Sequence, residues 1–338
     1  FTNQNWTTGE FDENGRPVLV EEAVDLALYA VVPGPLGAHN WHPMAFNPDT
    51  GLVYIPVNEI PFFYDKTRNV EDGKSYWNIG YDAAAGWPVE YPAGTLDAVA
   101  DLDGGSLLAW DPVKAEPRWA VPFALPLNGG VLSTDAGLVF QGNKFGDLVA
   151  YDAETGEQLW SHRLVGNAAA APMTYEIDGE QYLSVLSGWG SASNLIAGFT
   201  YGKAAGKEPA RVITFKLGGN EAMPAPLQEQ IVATPKSPMF GEPDQHQLGM
   251  QRFAENCHFC HGAFAVSGGV IPDLRWSAIS ANEQAWDQVV REGALTKQGM
   301  VSFAGHLTKE DTDAIRAYVI QQAWLAVTNG SASAPGGQ

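Results

Sequence analysis

The chain has 338 residues, with 19 basic and 39 acidic side chains and a formal charge of −20. An apolar fraction of 45% excludes an intrinsically disordered chain, and the negative charge excludes a sequence-independent nucleic-acid binder, which needs basic surface. No apolar run approaches the roughly 18 residues of a membrane-spanning helix, so the chain is not membrane-spanning; 37 glycines, 22 prolines and many aromatics favour turn-rich β structure over a helical bundle.

The chain opens at Phe1 in turn-like text, without the charged and apolar regions of a signal peptide. The expectation is that a leader was removed or that the chain is a piece of something longer. Residues 1–218 read as short strands between turns. Leu52-Val53-Tyr54-Ile55-Pro56-Val57 follows Asp49-Thr50-Gly51, and Gly137-Leu138-Val139-Phe140 follows Thr134-Asp135.

This region repeats itself. Ala109-Trp110-Asp111-Pro112 with Trp119 resembles Ala150-Tyr151-Asp152-Ala153 with Trp160, and both Asp111 to Asp152 and Trp119 to Trp160 are 41 residues apart. Asp49-Thr50-Gly51-Leu52-Val53-Tyr54 recurs 86 residues later as Asp135-Ala136-Gly137-Leu138-Val139-Phe140. A period of about 40–50 residues with a recurring Trp is the mark of propeller blades, small sheets that are apolar on both faces and need neighbours. Two similar hairpins in a β-sandwich are the alternative.

Residues 219–245 carry five prolines and read as a linker. Residues 246–328 then turn helical. Helices are predicted at Gln247–Glu255 and Asn282–Glu292, and a third through about Ala326, opened by a capping box at Thr308-Lys309-Glu310-Asp311. Residues 329–338 read as a flexible tail.

Cys257-His258-Phe259-Cys260-His261 is C-x-x-C-H, the attachment motif of c-type haem. The two thiols add to the porphyrin vinyl groups, and His261 is placed to ligate the iron. A zinc site needs four ligands and finds no second cysteine pair; a redox dithiol would sit in a βαβ context. Both cysteines are thereby used, and covalent haem attachment implies a periplasmic or exported location. Met300, in the loop between the last two helices, is the expected sixth ligand, with His306 a weaker rival; Arg275 is a candidate partner for a haem propionate.

A propeller-like region followed by a c-type cytochrome resembles the quinohaemoprotein alcohol dehydrogenases, which carry pyrroloquinoline quinone (PQQ) in an eight-bladed propeller ahead of a cytochrome c domain. The resemblance rests on Pro33-Gly34-Pro35-Leu36-Gly37-Ala38-His39-Asn40-Trp41-His42-Pro43-Met44, on Ala150 to Trp160, on Ser187-Gly188-Trp189-Gly190 and on the haem motif. It implies that Asn40 and Trp41 contact PQQ and that the loop at Gly190 approaches it with backbone. His39 and His42 are expected to pack around that pair.

The family chain is roughly twice as long, and its catalytic aspartate, Ca²⁺ ligands, vicinal disulfide and stacked Trp have no match here. No catalytic residue is therefore expected in this chain. At roughly 50–70 residues per blade, residues 1–218 supply about half of an eight-bladed PQQ-type propeller. The implied whole pairs this chain with an N-terminal propeller chain or fragment, PQQ and Ca²⁺ being shared with it. It would oxidise small alcohols to aldehydes and pass electrons through haem c to a soluble redox acceptor protein. The alternative is a propeller–cytochrome module for electron transfer or binding, without quinone chemistry.

Overall fold

The computed structural model describes residues 4–21, 28–65, 104–188, 210–225, 235–267 and 271–328. The chain divides into two units. One comprises residues 1–66, 90–189 and 203–227; the other comprises residues 67–89, 190–202 and 228–338.

The described part of the first unit is all antiparallel β. Strands β1 (Thr7–Phe11) and β2 (Pro17–Leu19) pair, as do β3 (Leu28–Val31) and β6 (Phe62–Asp65). Strands β4 (Ala45–Asn47), β5 (Leu52–Asn58), β7 (Gly105–Asp111) and β8 (Glu116–Phe123) form one four-stranded sheet. A second is built from β9 (Val131–Ser133), β10 (Leu138–Gly142), β11 (Asp147–Asp152) and β12 (Gln158–Arg163). A third has β13 (Met173–Ile177), β14 (Glu180–Ser187) and β15 (Arg211–Lys216).

The two sequence spacings map onto these sheets. The 86-residue spacing carries β4 and β5 onto β9 and β10; the 41-residue spacing carries β7 and β8 onto β11 and β12. The register slips at the same place in both, between Ala109 and Trp110 and between Ala150 and Tyr151. At each third-to-fourth strand turn an aspartate caps the backbone. Asp111 Oδ1 accepts from the Val113 and Lys114 N–H groups, and Asp152 Oδ1 from those of Glu154 and Thr155.

Neighbouring sheets bury each other's faces. Leu52, Tyr54, Leu107 and Ala109 of the first pack with Val131, Val139, Val149 and Tyr151 of the second. Leu148, one residue out of phase with Val149, points to the other face and packs with Val185 and Ile213 of the third sheet. Apolar on both faces, the second sheet is stable only between two neighbours. This is the propeller arrangement, not the sandwich.

The described part of the second unit is helical: α1 (Pro243–Asn256), α2 (His258–His261), α3 (Glu283–Val290) and α4 (Lys309–Thr328). α1 starts earlier than predicted because Pro243 suits the first turn, where no N–H is needed. Gly249 lets α1 cross α4 closely, since a Cβ there would stand 2.0 Å from the Ala314 carbonyl oxygen. The end of the stretch read as a linker, residues 219–245, is tied to α4. Trp324 Nε1 donates to the Ser237 carbonyl at 2.9 Å, and Arg316 covers the Phe240 ring at 4.7 Å.

The predicted capping box is present: the Thr308 N–H donates to Asp311 Oδ2 at 2.9 Å and the Asp311 N–H to Thr308 Oγ1 at 3.1 Å. Asp311 also pairs with Arg252 of α1 at 2.9 Å. Burial would raise the Asp311 pKa, but Thr308 and Arg252 outweigh it and hold the carboxyl below its usual value. Its contribution is therefore full above the ordinary carboxylate range and is lost as the pH falls through the lowered folded value. Asp311→Ala is expected to destabilise this unit by about 1–3 kcal/mol at neutral pH in thermal melts. The gap to wild type should close in acid; a gap that widens there would contradict the assignment.

Candidate haem and quinone sites

In the helical unit the haem motif lies where α1 passes into α2. The Cys257 N–H donates to the Phe253 carbonyl at 2.8 Å, and the Cys260 N–H to the Cys257 carbonyl at 3.2 Å. The two sulfurs thus stand one turn apart on one helical stretch. Both thiols are free, Cys257 buried and Cys260 half-buried. Burial, with Cys260 adding, pushes the Cys257 thiol up to about 12, and burial also raises Cys260.

His258, the spacer of the motif, is buried with its Nδ1 on the Ala254 carbonyl. His261 is buried as well; burial lowers its pKa while the Pro272 backbone and Asp273 pull the other way. A buried neutral imidazole is the form that ligates iron.

Met300 is held in its loop by an N–H donated to the Leu295 carbonyl at 3.2 Å, after Gly299 in the left-handed region (φ 94). It packs against the cluster of Phe253, Cys257, Trp286 and Tyr318. Cys257 and Met300 therefore share one core, and the Tyr318 hydroxyl is buried there without a partner among the described residues. His306 is exposed. Arg275 is already engaged: its Nε and Nη2 donate to the Asp273 carboxylate at 3.0 and 2.7 Å, so a propionate would share it with Asp273.

Cys257 and Met300 on one apolar core, with Cys260 and the buried His261 on the same helical stretch as Cys257, fit a covalently attached haem. Among the described residues no cluster of three or more His, Cys, Asp or Glu could hold a bare metal ion.

In the propeller unit, residues 36–44 run into β4. Asn40 serves the loop itself: its Nδ2 donates to the Leu36 carbonyl at 2.7 Å and its Oδ1 accepts from the Trp41 N–H at 2.9 Å. Trp41 is left 53% exposed, its ring 5.3 Å from that of the buried His42. The Pro43 carbonyl accepts from the Val131 N–H at 2.9 Å, which ties the loop to β9, an edge strand of the second sheet. Gly190 lies outside the described residues.

Around this loop, the ends of the second strands crowd together with unpaired polar atoms. Buried without a partner among the described residues are His42 Nε2, Asn58 Nδ2, Gln141 Oε1, both amide atoms of Asn167 and Ser187 Oγ. Asn58 ends β5, Gln141 lies one residue from the end of β10, and Ser187 ends β14. Backbone approach is close here: a Cβ on Gly142 would stand 2.4 Å from the Ala168 carbonyl oxygen. Amide donors, acceptors and close-packed backbone suit a planar polycarboxylate such as PQQ. Sequence reasoning missed Asn58, Gln141 and Asn167; a signal did exist, since Gln141 is an amide inside the apolar run Leu138–Gly142.

Comparison with known proteins agrees with both domains. Residues 22–183 match the model of the glucose/ethanol/alcohol dehydrogenase β-propeller domain (PQQ), and residues 244–319 that of cytochrome C oxidase, cbb3-type, subunit III. Quinohemoprotein alcohol dehydrogenase ADH IIB of Pseudomonas putida is 41% identical over 86% of this chain and 41% of its own length. The structure of ADHIIG from Pseudomonas putida superposes with a TM-score of 0.80 at 36% identity, covering 98% of this chain and 49% of that one. That of the Comamonas testosteroni quinohemoprotein alcohol dehydrogenase gives 0.71 at 35% identity, covering 96% and 47%. The chain thus spans less than half the length of these relatives. It carries a PQQ-type propeller portion followed by a cytochrome c domain, and the relatives it is similar to over most of its length are quinohaemoprotein alcohol dehydrogenases.

Proposed function

We propose that the chain is the haem-bearing part of a periplasmic PQQ-dependent enzyme that oxidises alcohols to aldehydes and passes the electrons through haem c to a soluble redox acceptor. The observation that carries this reading is the union, in one chain, of a propeller face with unpaired amides around Trp41 and a helical core built on C-x-x-C-H. PQQ, when bound with Ca²⁺, supplies the two-electron acceptor and haem c the one-electron exit.

The residues of this chain bind and orient. The Asn40 side chain ties the loop so that Trp41 stands out of the core to face the quinone. Asn58, Gln141 and Asn167 offer donors and acceptors, and the close backbone at Gly142 and Ala168 leaves little room for water. Gly190 adds backbone contact. Cys257 and Cys260 hold the haem, His261 and Met300 its iron, and Arg275 a propionate shared with Asp273. The catalytic base and the Ca²⁺ ligands come from an N-terminal propeller chain or fragment. The length of the relatives supports that completion, as does the third sheet, where Met173, Ile177, Leu186 and Val212 are exposed. Haem attachment outside the cytoplasm supports the periplasmic location. Among the described residues no helix is long and apolar enough to cross a membrane.

The test uses the complete native protein loaded with PQQ and Ca²⁺. Adding a primary alcohol is expected to reduce the haem, read as the sharp visible bands of a ferrous c-type cytochrome. If the protein holds PQQ and alcohols never reduce its haem, the reading fails.

A further inference from the structure

The stretch 219–245 is docked at both ends. At its start, Met223 packs against the propeller cluster of Leu148, Leu164, Val185 and Ile213. At its end, residues 237–246 run along α4 as a strap. The Ser237 carbonyl accepts from Trp324 Nε1 at 2.9 Å. The Phe240 ring lies 4.7 Å from the Arg316 guanidinium carbon, and Arg316 Nε is itself fixed on the Ser280 carbonyl at 2.8 Å. Gly241, in the left-handed region (φ +92), turns the strap against the helix, where a Cβ would stand 3.1 Å from that of Ala317.

His246 pins this strap. Its Nε2 lies 2.8 Å from the Phe240 carbonyl oxygen, which can only accept, so Nε2 carries the proton and donates. Its Nδ1 then accepts from Gln321 Nε2 at 3.1 Å. Ala317, Gln321 and Trp324 stand at i, i+4 and i+7, so one stripe of α4 carries these contacts. Ordering a Pro-rich segment costs backbone entropy, and one that touched nothing would not be held.

No more than residues 224–236 lie between the two anchors. That is about half of the stretch marked by composition. It reaches roughly 45 Å at full extension, against roughly 90 Å for the whole of 219–245.

We propose that Trp324 and His246 are positioning residues for electron transfer: by docking the strap they shorten the tether and keep the haem within transfer range of the quinone. This rests on the reading that the complete protein reduces its haem through PQQ. Electron transfer through protein slows steeply with distance. The effective concentration of haem near its donor, which tether length sets, therefore enters the rate directly.

The experiment uses the complete native protein loaded with PQQ and Ca²⁺, as wild type, Trp324→Phe, His246→Leu and the double variant. Trypsin cleavage after the exposed Lys236, next to the Ser237 anchor, reads undocking of the strap. The double variant is expected to be cut there about tenfold faster than wild type, and each single variant less. Its haem spectrum and midpoint potential should stay as in wild type, and ascorbate should reduce its haem equally fast. Reduction of the haem by a primary alcohol should slow several-fold. Unchanged cleavage in the double variant overturns the docked strap. Faster cleavage with unchanged alcohol-driven reduction overturns the positioning role and leaves the PQQ reading intact. If His246→Leu alters the haem spectrum, Trp324→Phe, which keeps a ring at that site, decides alone on the same two readouts. Wild-type protein that holds PQQ and never passes electrons from alcohol to haem overturns both.

Discussion

Replacing Met300 by Ala is expected to remove the red charge-transfer band of the oxidised haem protein and to lower its midpoint potential by roughly 100 mV or more, a fraction of the range that axial ligands span. A thioether is a soft ligand that favours ferrous iron; without it, water or a harder donor favours ferric iron. The loop is built to present this residue. Gly299 takes the left-handed turn that ends the preceding helical turn, and the Met300 N–H is fixed on the Leu295 carbonyl. The side chain then lies on the same core as Cys257. Met300→Leu keeps the volume and should lose the band while losing little stability. His306→Ala should leave both readouts unchanged, since His306 is exposed. A band that survives in Met300→Ala would show that another residue ligates the iron.

The second large effect is expected at a junction between blades. Trp119 of the first sheet reaches the third-to-fourth strand turn of the second, where its Nε1 donates to the Ala153 carbonyl at 3.1 Å. The Tyr54 hydroxyl donates to the same carbonyl at 2.9 Å, and the two rings lie 5.7 Å apart. Gly156 completes the fit: its φ is +76, and a Cβ there would stand 2.7 Å from Trp119 Cε3. Gly156→Val combines left-handed strain with a clash against a held ring and should cost roughly 2–5 kcal/mol in denaturant unfolding. Trp119→Ala removes the ring and the bond, at about 2–4 kcal/mol. The two penalties should not add. With the ring gone the clash is relieved, so the double variant should fall short of the sum by about 1 kcal/mol or more. Strict additivity would mean that the ring does not dock on this turn.

Much of this architecture was legible because its causes are local. The 41-residue spacing located equivalent strands, since Asp111 and Asp152 each cap the same kind of turn with their own side chain. At position 115 the turn demands a left-handed residue and receives Ala (φ 56) where the repeat has Gly156, so the strand spacing held although the turn residue changed. The capping box of α4 was readable for the same reason: Thr308 and Asp311 satisfy each other three residues apart. Where the stretch read as a linker is tied down was not legible, because composition says nothing of long-range partners. Ser237 and Trp324, 87 residues apart, tie its end to α4.

The sequence by itself determined the haem chemistry and the blade repeat. C-x-x-C-H is a covalent spacing set by a helical turn, and alternation with turn residues is set by the strand pleat. Only the tertiary structure decided which polar groups are buried together. Lys144 reads as one more turn lysine, and His42 as a flank of Asn40-Trp41. Their shared burial follows from the packing of residues 42–43 and 144 against residues 128–131, and burial, which no local pattern encodes, is what lowers the pKa of an ordinary lysine and histidine.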